Sequence, residues 1–301
     1  MGHEQLLAER TEPRTSAGTE PTGVKTILVH VADDDQQENR LQTALSLARA
    51  ASAHLSFVHV TPIEAYVAFD NFGGVFVMKD LIANLETRNA ELQSEIEDRL
   101  AGEDVSWDYE QTTGNVMSAL ISRASLADLV ITMRHPKRQD FVGPTTGFLG
   151  ELLQRSRTPV LVPAAGTNTF DPTGPALIAW NGSFEAANAV RASLGMLRLA
   201  SDVSIIHVPE TKADAKAFPG TRLVEYLSRQ GIHAELTVTP PPTGDAAADV
   251  VAGMIESQAL GGRAAYLVMG GYSHSRIGEY FFGGVTRTML QDCPLPLLIA
   301  G

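Results

Sequence analysis

Two glycine-bearing segments near the end of the chain carry the chemistry most directly readable from residue type and spacing. The first is Val268-Met269-Gly270-Gly271-Tyr272-Ser273-His274-Ser275-Arg276; after a short apolar stretch comes Gly283-Gly284-Val285-Thr286-Arg287. Glycine lets a backbone approach an anion closely and take positive φ. A helix starting after such a segment offers unpaired N–H groups and the positive end of its dipole. The hydroxyls of Ser273 and Thr286, with His274 and Arg276, add donors. A phosphate can be held between residues 270–273 and 283–286. The same glycines would also serve a tight strand-to-helix connection that binds nothing.

Other chemistries find less support. Ser273-His274-Ser275 sets a hydroxyl beside an imidazole, but the Gly-x-Ser-x-Gly turn and a third partner are missing. Neither a Gly-x-x-x-x-Gly-Lys-Ser/Thr loop nor a dinucleotide Gly-x-Gly-x-x-Gly follows a first strand. No His-Glu-x-x-His or paired-cysteine spacing offers a metal site. The single cysteine, Cys293, has no partner for an intramolecular disulfide and reads as a buried, inert thiol. No catalytic residue and no metal ligand is assigned.

The elements that must position the glycine segments occur twice. Thr26-Ile27-Leu28-Val29-His30-Val31 and Ala176-Leu177-Ile178-Ala179-Trp180-Asn181 each open a half. Each half continues through a helical stretch to a second run ending His-Val, at His59-Val60 and His207-Val208. Thr113-Gly114 and Thr243-Gly244 turn into helices, and fourth runs lie at 129–133 and 266–270. Pro159-Val160-Leu161-Val162 and Pro296-Leu297-Leu298-Ile299 close the halves. A period this long means two copies of one domain, not a solenoid. Short strands, apolar on both faces and separated by helices, predict parallel sheets covered on both sides. In the second half Gly182-Ser183 predicts a turn and helix cap. One helix is expected to bury Ala186, Val190, Leu194 and Leu197, and another to end at Gly231. His59 and His207 end equivalent strands and suit packing or turn support.

The first half adds a segment, residues 65–78, rich in aromatics and broken by Gly73-Gly74. It reads as a flap over the core or as an apolar lid or ligand pocket. The net charge of −12 is concentrated in residues 1–173, leaving the second half nearly neutral. So acidic a surface, without a basic stripe, disfavours nucleic acid. No run approaches the roughly 20 apolar residues of a membrane helix. Residues 1–23, polar and lacking an apolar central segment, read as a disordered tail on a cytoplasmic protein.

On these residues the chain resembles a tandem universal stress protein from about Lys25 onward. The nucleotide-binding form of that family carries Gly, two residues, Gly, nine residues, then Gly followed by Ser or Thr. That pattern falls on Gly270, Ser273, Gly283 and Gly284, with Thr286 two residues beyond. The family's acidic adenine contact falls on Asn181, whose amide still donates and accepts. Val208 matches the position whose backbone meets the base. In the first half, aligned through Pro159 and Pro296, the loop positions become Met133, Pro136, Thr146 and Gly147. Both loop glycines are missing there, and Pro136 removes a backbone donor. Val31 replaces the adenine contact, with Asp33, Asp34 and Asp35 following as a solvated helix start or a shifted counterpart. Arg134, His135, Lys137 and Arg138 read as a solvated basic loop or a site for a different anion.

The resemblance implies two doubly wound α/β parallel-sheet domains of the adenine nucleotide alpha-hydrolase-like kind, five strands each, in an intramolecular pseudo-dimer. Expected boundaries are a tail at 1–23, a degenerate domain at 24–163, a linker at 164–175 and a site-bearing domain at 176–301. It implies a cytoplasmic stress-response regulator binding ATP or a related adenine nucleotide, with or without Mg²⁺, and hydrolysing it weakly at most. The expected contacts are Asn181, Gly182, Val208, Met269, Gly270, Gly271, Ser273, His274, Arg276, Gly283, Gly284, Val285 and Thr286. Membrane and nucleic-acid partners are not expected; a protein partner or a further homodimer is open. The alternative is a stress protein that binds no nucleotide and acts through residues 65–78 as a protein-interaction or apolar-ligand module.

Overall fold

A computed structural model of the protein describes residues 23–62, 68–69, 75–76, 79–134, 145–164, 170–207, 219–239, 247–271 and 284–301. In the first half these give β1 (Thr26–Val31), α1 (Gln37–Ala51), β2 (His54–Pro62), β3 (Ala68–Phe69), β4 (Val75–Phe76), α2 (Lys79–Leu100), β5 (Ser106–Gly114), α3 (Val116–Ala124), β6 (Leu129–Ile131), α4 (Thr145–Ser156) and β7 (Val160–Val162). The second half gives β8 (Ala176–Trp180), α5 (Phe184–Ala192), α6 (Leu194–Leu197), β9 (Val203–His207), α7 (Gly220–Arg229), β10 (Ala234–Val238), α8 (Ala247–Leu260), β11 (Tyr266–Gly270), α9 (Gly284–Asp292) and β12 (Leu297–Ala300). Residues 1–22 of the expected tail at 1–23, and most of the segment at 65–78, lie outside the described residues. Of that segment, β3 and β4 pair as an antiparallel hairpin, Ala68 against Phe76 and Phe69 against Val75.

One ten-stranded sheet runs β10-β9-β8-β11-β12-β7-β6-β1-β2-β5. Read outward from its centre, each half has the same order. Within this sheet the described pairing inside each half is parallel, and β7 and β12, at the centre, pair antiparallel, with Leu161 opposite Leu298. The two sets of strands therefore point in opposite directions, and their carboxyl edges lie at opposite ends of the sheet. This is an α/β fold with a mostly parallel sheet, as the alternation of apolar runs and helical periods predicts.

The strand sequences explain the layering. Ile27, Val29 and Val31 of β1 face one core, while Leu28 faces the other; Ala176, Ile178 and Trp180 of β8 oppose Leu177 in the same way. Helices α1, α2, α5, α6 and α7 cover the first face, and α3, α4, α8 and α9 the second. Both cores run without a break through both halves. One outermost strand, β5, is polar: Asp108 and Glu110 stud it, as suits an edge that must not recruit another chain. An asparagine on the first helix of each half donates to the carbonyl just beyond its closing strand, Asn39 to Ala164 at 2.6 Å and Asn188 to Gly301 at 3.3 Å.

One expected helix is broken. Residues 186–197 divide at Ser193, whose hydroxyl donates to the Ala189 and Val190 carbonyls at 2.7 and 3.1 Å. A serine hydroxyl competing for backbone carbonyls bends a helix, and Gly195 follows two residues later. Gly231 does end α7, at φ +76°.

Candidate functional site

In an open parallel sheet a ligand settles beyond the carboxyl ends of the strands, where strand order reverses. In the second half that point lies between β8 and β11, where Met269 pairs with Ala179. β8 leaves the sheet through Asn181-Gly182-Ser183. The Asn181 Oδ1 accepts the Ser183 N–H at 3.1 Å, and the Ser183 Oγ accepts the Ala186 N–H at 3.1 Å, capping α5. Gly182 makes the turn at φ +84°, a conformation that favours glycine. The carboxamide oxygen of Asn181 thus serves the turn first.

The first turn of α5 lies directly on the end of β11. A Cβ at Gly270 would stand 2.6 Å from the Ala186 nitrogen and 2.7 Å from the Glu185 carbonyl carbon. One at Gly271 would stand 2.6 Å from Ile299 Cγ1 and 3.2 Å from Leu153 Cδ1. Packing against main-chain atoms alone therefore requires glycine at 270, whereas at 271 a Cβ would press on the outer carbons of two core side chains. Met269 is buried in the core under α8 and α9, so only its backbone reaches this edge. Gly284, Val285 and Thr286 form the first turn of α9. Of the sequence-predicted contacts, Asn181, Gly182, Met269, Gly270 and Gly271 line the ends of β8 and β11. Val208, Ser273, His274, Arg276 and Gly283 lie outside the described residues.

Beside the end of β8 the structure opens a cavity of about 200 Å³ between α5 and α7, lined by Trp180, Ala187, Val190, Arg222, Leu223 and Tyr226 among others. Sequence reasoning missed it. The helical spacing of Leu223 and Leu227 marks the buried face of α7, but nothing local says that Tyr226 and Arg222 meet Trp180. Close by, His207 ends β9, is 2% exposed, and its Nε2 finds no hydrogen-bond partner among the described residues. Burial holds its pKa below the usual histidine value, so the ring is neutral near pH 7.

At the equivalent edge of the first half, among the described residues, a buried arginine packs over the end of β1. Arg40, fully buried, donates from Nε to the His30 carbonyl at 2.8 Å and from Nη2 to the Ala32 carbonyl at 3.2 Å and Gln37 Oε1 at 2.7 Å. Its Nη1 meets both oxygens of Asp34 at 3.0 Å, with the two side chains 0% and 1% exposed. Asp33 pairs with Arg88. The expectation of three solvated acids is corrected: Asp34 is a buried partner, because a buried guanidinium needs a counter-charge. Beneath them His30 and His59 are both buried. His30 Nδ1 lies 3.1 Å from Thr132 Oγ1, and its ring stacks on Phe148. Burial, then Arg40, then His59 hold His30 well below the usual pKa; burial lowers His59 too, against the pull of Asp33.

Arg134 is a second correction. Expected in a solvated basic loop, it is 2% exposed. Its Nη1 donates to the Met289 carbonyl at 2.6 Å and approaches that of Leu290 at 3.4 Å, in the last turns of α9. His135, Pro136, Lys137 and Arg138 lie outside the described residues. Among the described residues no group of three His, Cys, Asp or Glu side chains could hold a metal ion, and no helix is long and apolar enough to cross a membrane. The arrangement offers backbone donors and an apolar cavity, which is the chemistry of binding.

Comparison with known proteins bears on the fold and on one half. Residues 23–162 match the model of the universal stress protein family. No curated protein matches the chain. A solved universal stress protein from Archaeoglobus fulgidus is 12% identical, with TM-score 0.69, over 94% of this chain and 99% of its own. Two Pseudomonas aeruginosa structures, each 16% identical, give TM-scores of 0.55 and 0.54; they cover 94% and 93% of this chain and 95% and 93% of their own. At such identities the likeness shows the fold alone. The chain thus contains one universal stress protein domain, at residues 23–162, within an α/β fold that a solved universal stress protein shares over nearly its whole length.

Proposed function

We propose that the protein is a cytoplasmic stress-response regulator built of two universal stress protein domains, 24–163 and 176–301, joined by a linker at 164–175. It binds ATP or a related adenine nucleotide, with or without Mg²⁺, once per chain, in residues 176–301. The observation that carries this reading is the contrast between the two carboxyl edges. Arg40 and Asp34 occupy the first. The second has a glycine turn at Gly182 and a cavity beside Trp180. There the base lies toward Asn181, Val208 and the Trp180–Tyr226 cavity. The phosphates lie toward Gly270, Gly271, Ser273, His274 and Arg276 and the start of α9 at Gly283, Gly284, Val285 and Thr286. Occupancy changes the surface of the second half and the state it favours, not a metabolite.

The test is calorimetric titration of nucleotide-stripped protein with Mg²⁺-ATP. Micromolar binding at one site per chain, abolished by Gly283→Asp, is the expected result; two sites would overturn the single-site reading, and no heat would overturn nucleotide binding. A second reading is favoured by the main-chain packing that requires glycine at 270 whether or not a ligand is present. In it the second half binds no nucleotide, and the 65–78 segment takes an apolar ligand or protein partner. Native mass spectrometry of freshly purified protein distinguishes the two by what co-purifies.

A further inference from the structure

Because β7 and β12 pair antiparallel, the carboxyl edge of the first half lies at the same end of the sheet as the carboxyl ends of the second half's helices. Arg134 follows β6 at that edge, where the first half's own anion loop would begin. Its backbone N–H donates to Gln36 Oε1 at 3.1 Å, which fixes it in the first half. Its guanidinium instead crosses the seam to the Met289 and Leu290 carbonyls of α9, with the Pro163 carbonyl 3.5 Å from Nη2. A cation at a helix carboxyl terminus satisfies orphan carbonyls and complements the dipole. Aligned through Pro159 and Pro296, Arg134 corresponds to Gly271, and Met289-Leu290 to Leu152-Leu153. The mirror contact exists as packing only, Gly271 against Leu153. Among the described residues the charged tie is made once, and in one direction.

The tied helix is α9, whose other end starts at Gly284. At about 1.5 Å per residue it is a rod of roughly 13 Å, short enough to hold its two ends in fixed relation. We propose that Arg134 of the first half is a positioning residue for anion binding in the second: by fixing the carboxyl end of α9 it sets where the amino-terminal N–H groups stand. This rests on the nucleotide reading above. Coupling of this kind is reciprocal, so nucleotide on α9 also tightens the seam around Arg134.

The experiment compares wild type, Arg134→Met and Arg134→Lys by calorimetric titration with ATP and, separately, with adenosine, which has no phosphate. Amide exchange across residues 284–292 is followed in the same proteins. Met is expected to weaken ATP roughly tenfold, within the 5- to 150-fold span of measured couplings, leave adenosine within about twofold, and speed exchange in α9. Lys restores part of both. Equal losses for ATP and adenosine would mean general disruption and overturn the proposal, as would unchanged ATP affinity. If wild type gives no heat with ATP, the nucleotide reading fails, and exchange still decides the tie: unchanged protection of α9 in Arg134→Met overturns it.

Discussion

The two halves share strand order, helix placement and the hydrogen bond from first helix to closing strand, yet their carboxyl edges are built differently. In the first, the connection from β1 to α1 is longer and folds back onto Arg40, which takes two main-chain carbonyls, Gln37 and both oxygens of Asp34. In the second, Asn181-Gly182-Ser183 turns straight into α5, and a cavity stays open beside Trp180. The family match falls on the first half, where Arg40 and Asp34 are buried. A family model can match on fold and core pattern alone, because a binding function rests on a few residues grafted onto the fold.

The sharpest way to break the contrast is to remove the buried arginine. Arg40→Met leaves the Asp34 carboxylate buried without its counter-charge, and chemical denaturation should show a loss of about 3–5 kcal/mol. Arg40→Met with Asp34→Leu should recover most of it, while ATP stoichiometry stays unchanged. A double variant as unstable as the single would show that the pair does more than neutralise itself. On the second edge, Gly270→Ala drives a methyl into the α5 backbone. It should cost about 1–3 kcal/mol without any ligand present, and a thermal midpoint equal to wild type would refute the packing account.

Acid should touch the two edges through different rings. His30, His59 and His207 are all held below the ordinary pKa, so the unfolded chain binds more protons than the folded one below about pH 6.5. The stability they contribute is complete above that pH and lost as pH falls below it, by up to about 1.4 kcal/mol per pH unit for each histidine. Denaturation midpoints between pH 7.5 and 5 should fall accordingly, and His59→Gln should flatten the slope; an unaltered slope would mean that this ring binds its proton equally well in the folded and unfolded chains. The smallest effect is at the cap. Ser183→Ala should cost about 1 kcal/mol, read by thermal unfolding, and should match Asn115→Ala at the amino terminus of α3, where Asn115 plays the same part.

What was legible in the sequence is what local chemistry writes. Apolar runs flanked by helical periods specify the strands, Gly182-Ser183 announces the α5 cap, and Gly231 marks the end of α7. The repeated closing Pro-led runs gave the two β strands that meet at the seam. What stayed hidden depends on approach between distant segments. Arg134 and Met289 are 155 residues apart, and a basic residue in a run of four reads as solvated until its helix is in place. Arg40 looks like any surface arginine on an amphipathic helix; only the curl of the preceding loop buries it. The glycines at 270 and 271 were visible, but not that backbone and core atoms already claim the space in front of them.

The antiparallel join of β7 to β12 has a consequence for how the halves can change over time. In an assembly of two identical chains every substitution appears twice, so a residue that suits one side is imposed on the other. Here the partners are on one chain and meet at an effective concentration on the millimolar scale typical of short tethers, whatever the dilution. Each position can therefore be altered alone. Among the described residues one arginine crosses the seam without a twin, and one edge buries an ion pair while the other keeps a cavity; dissociation and re-pairing cannot average that inequality away.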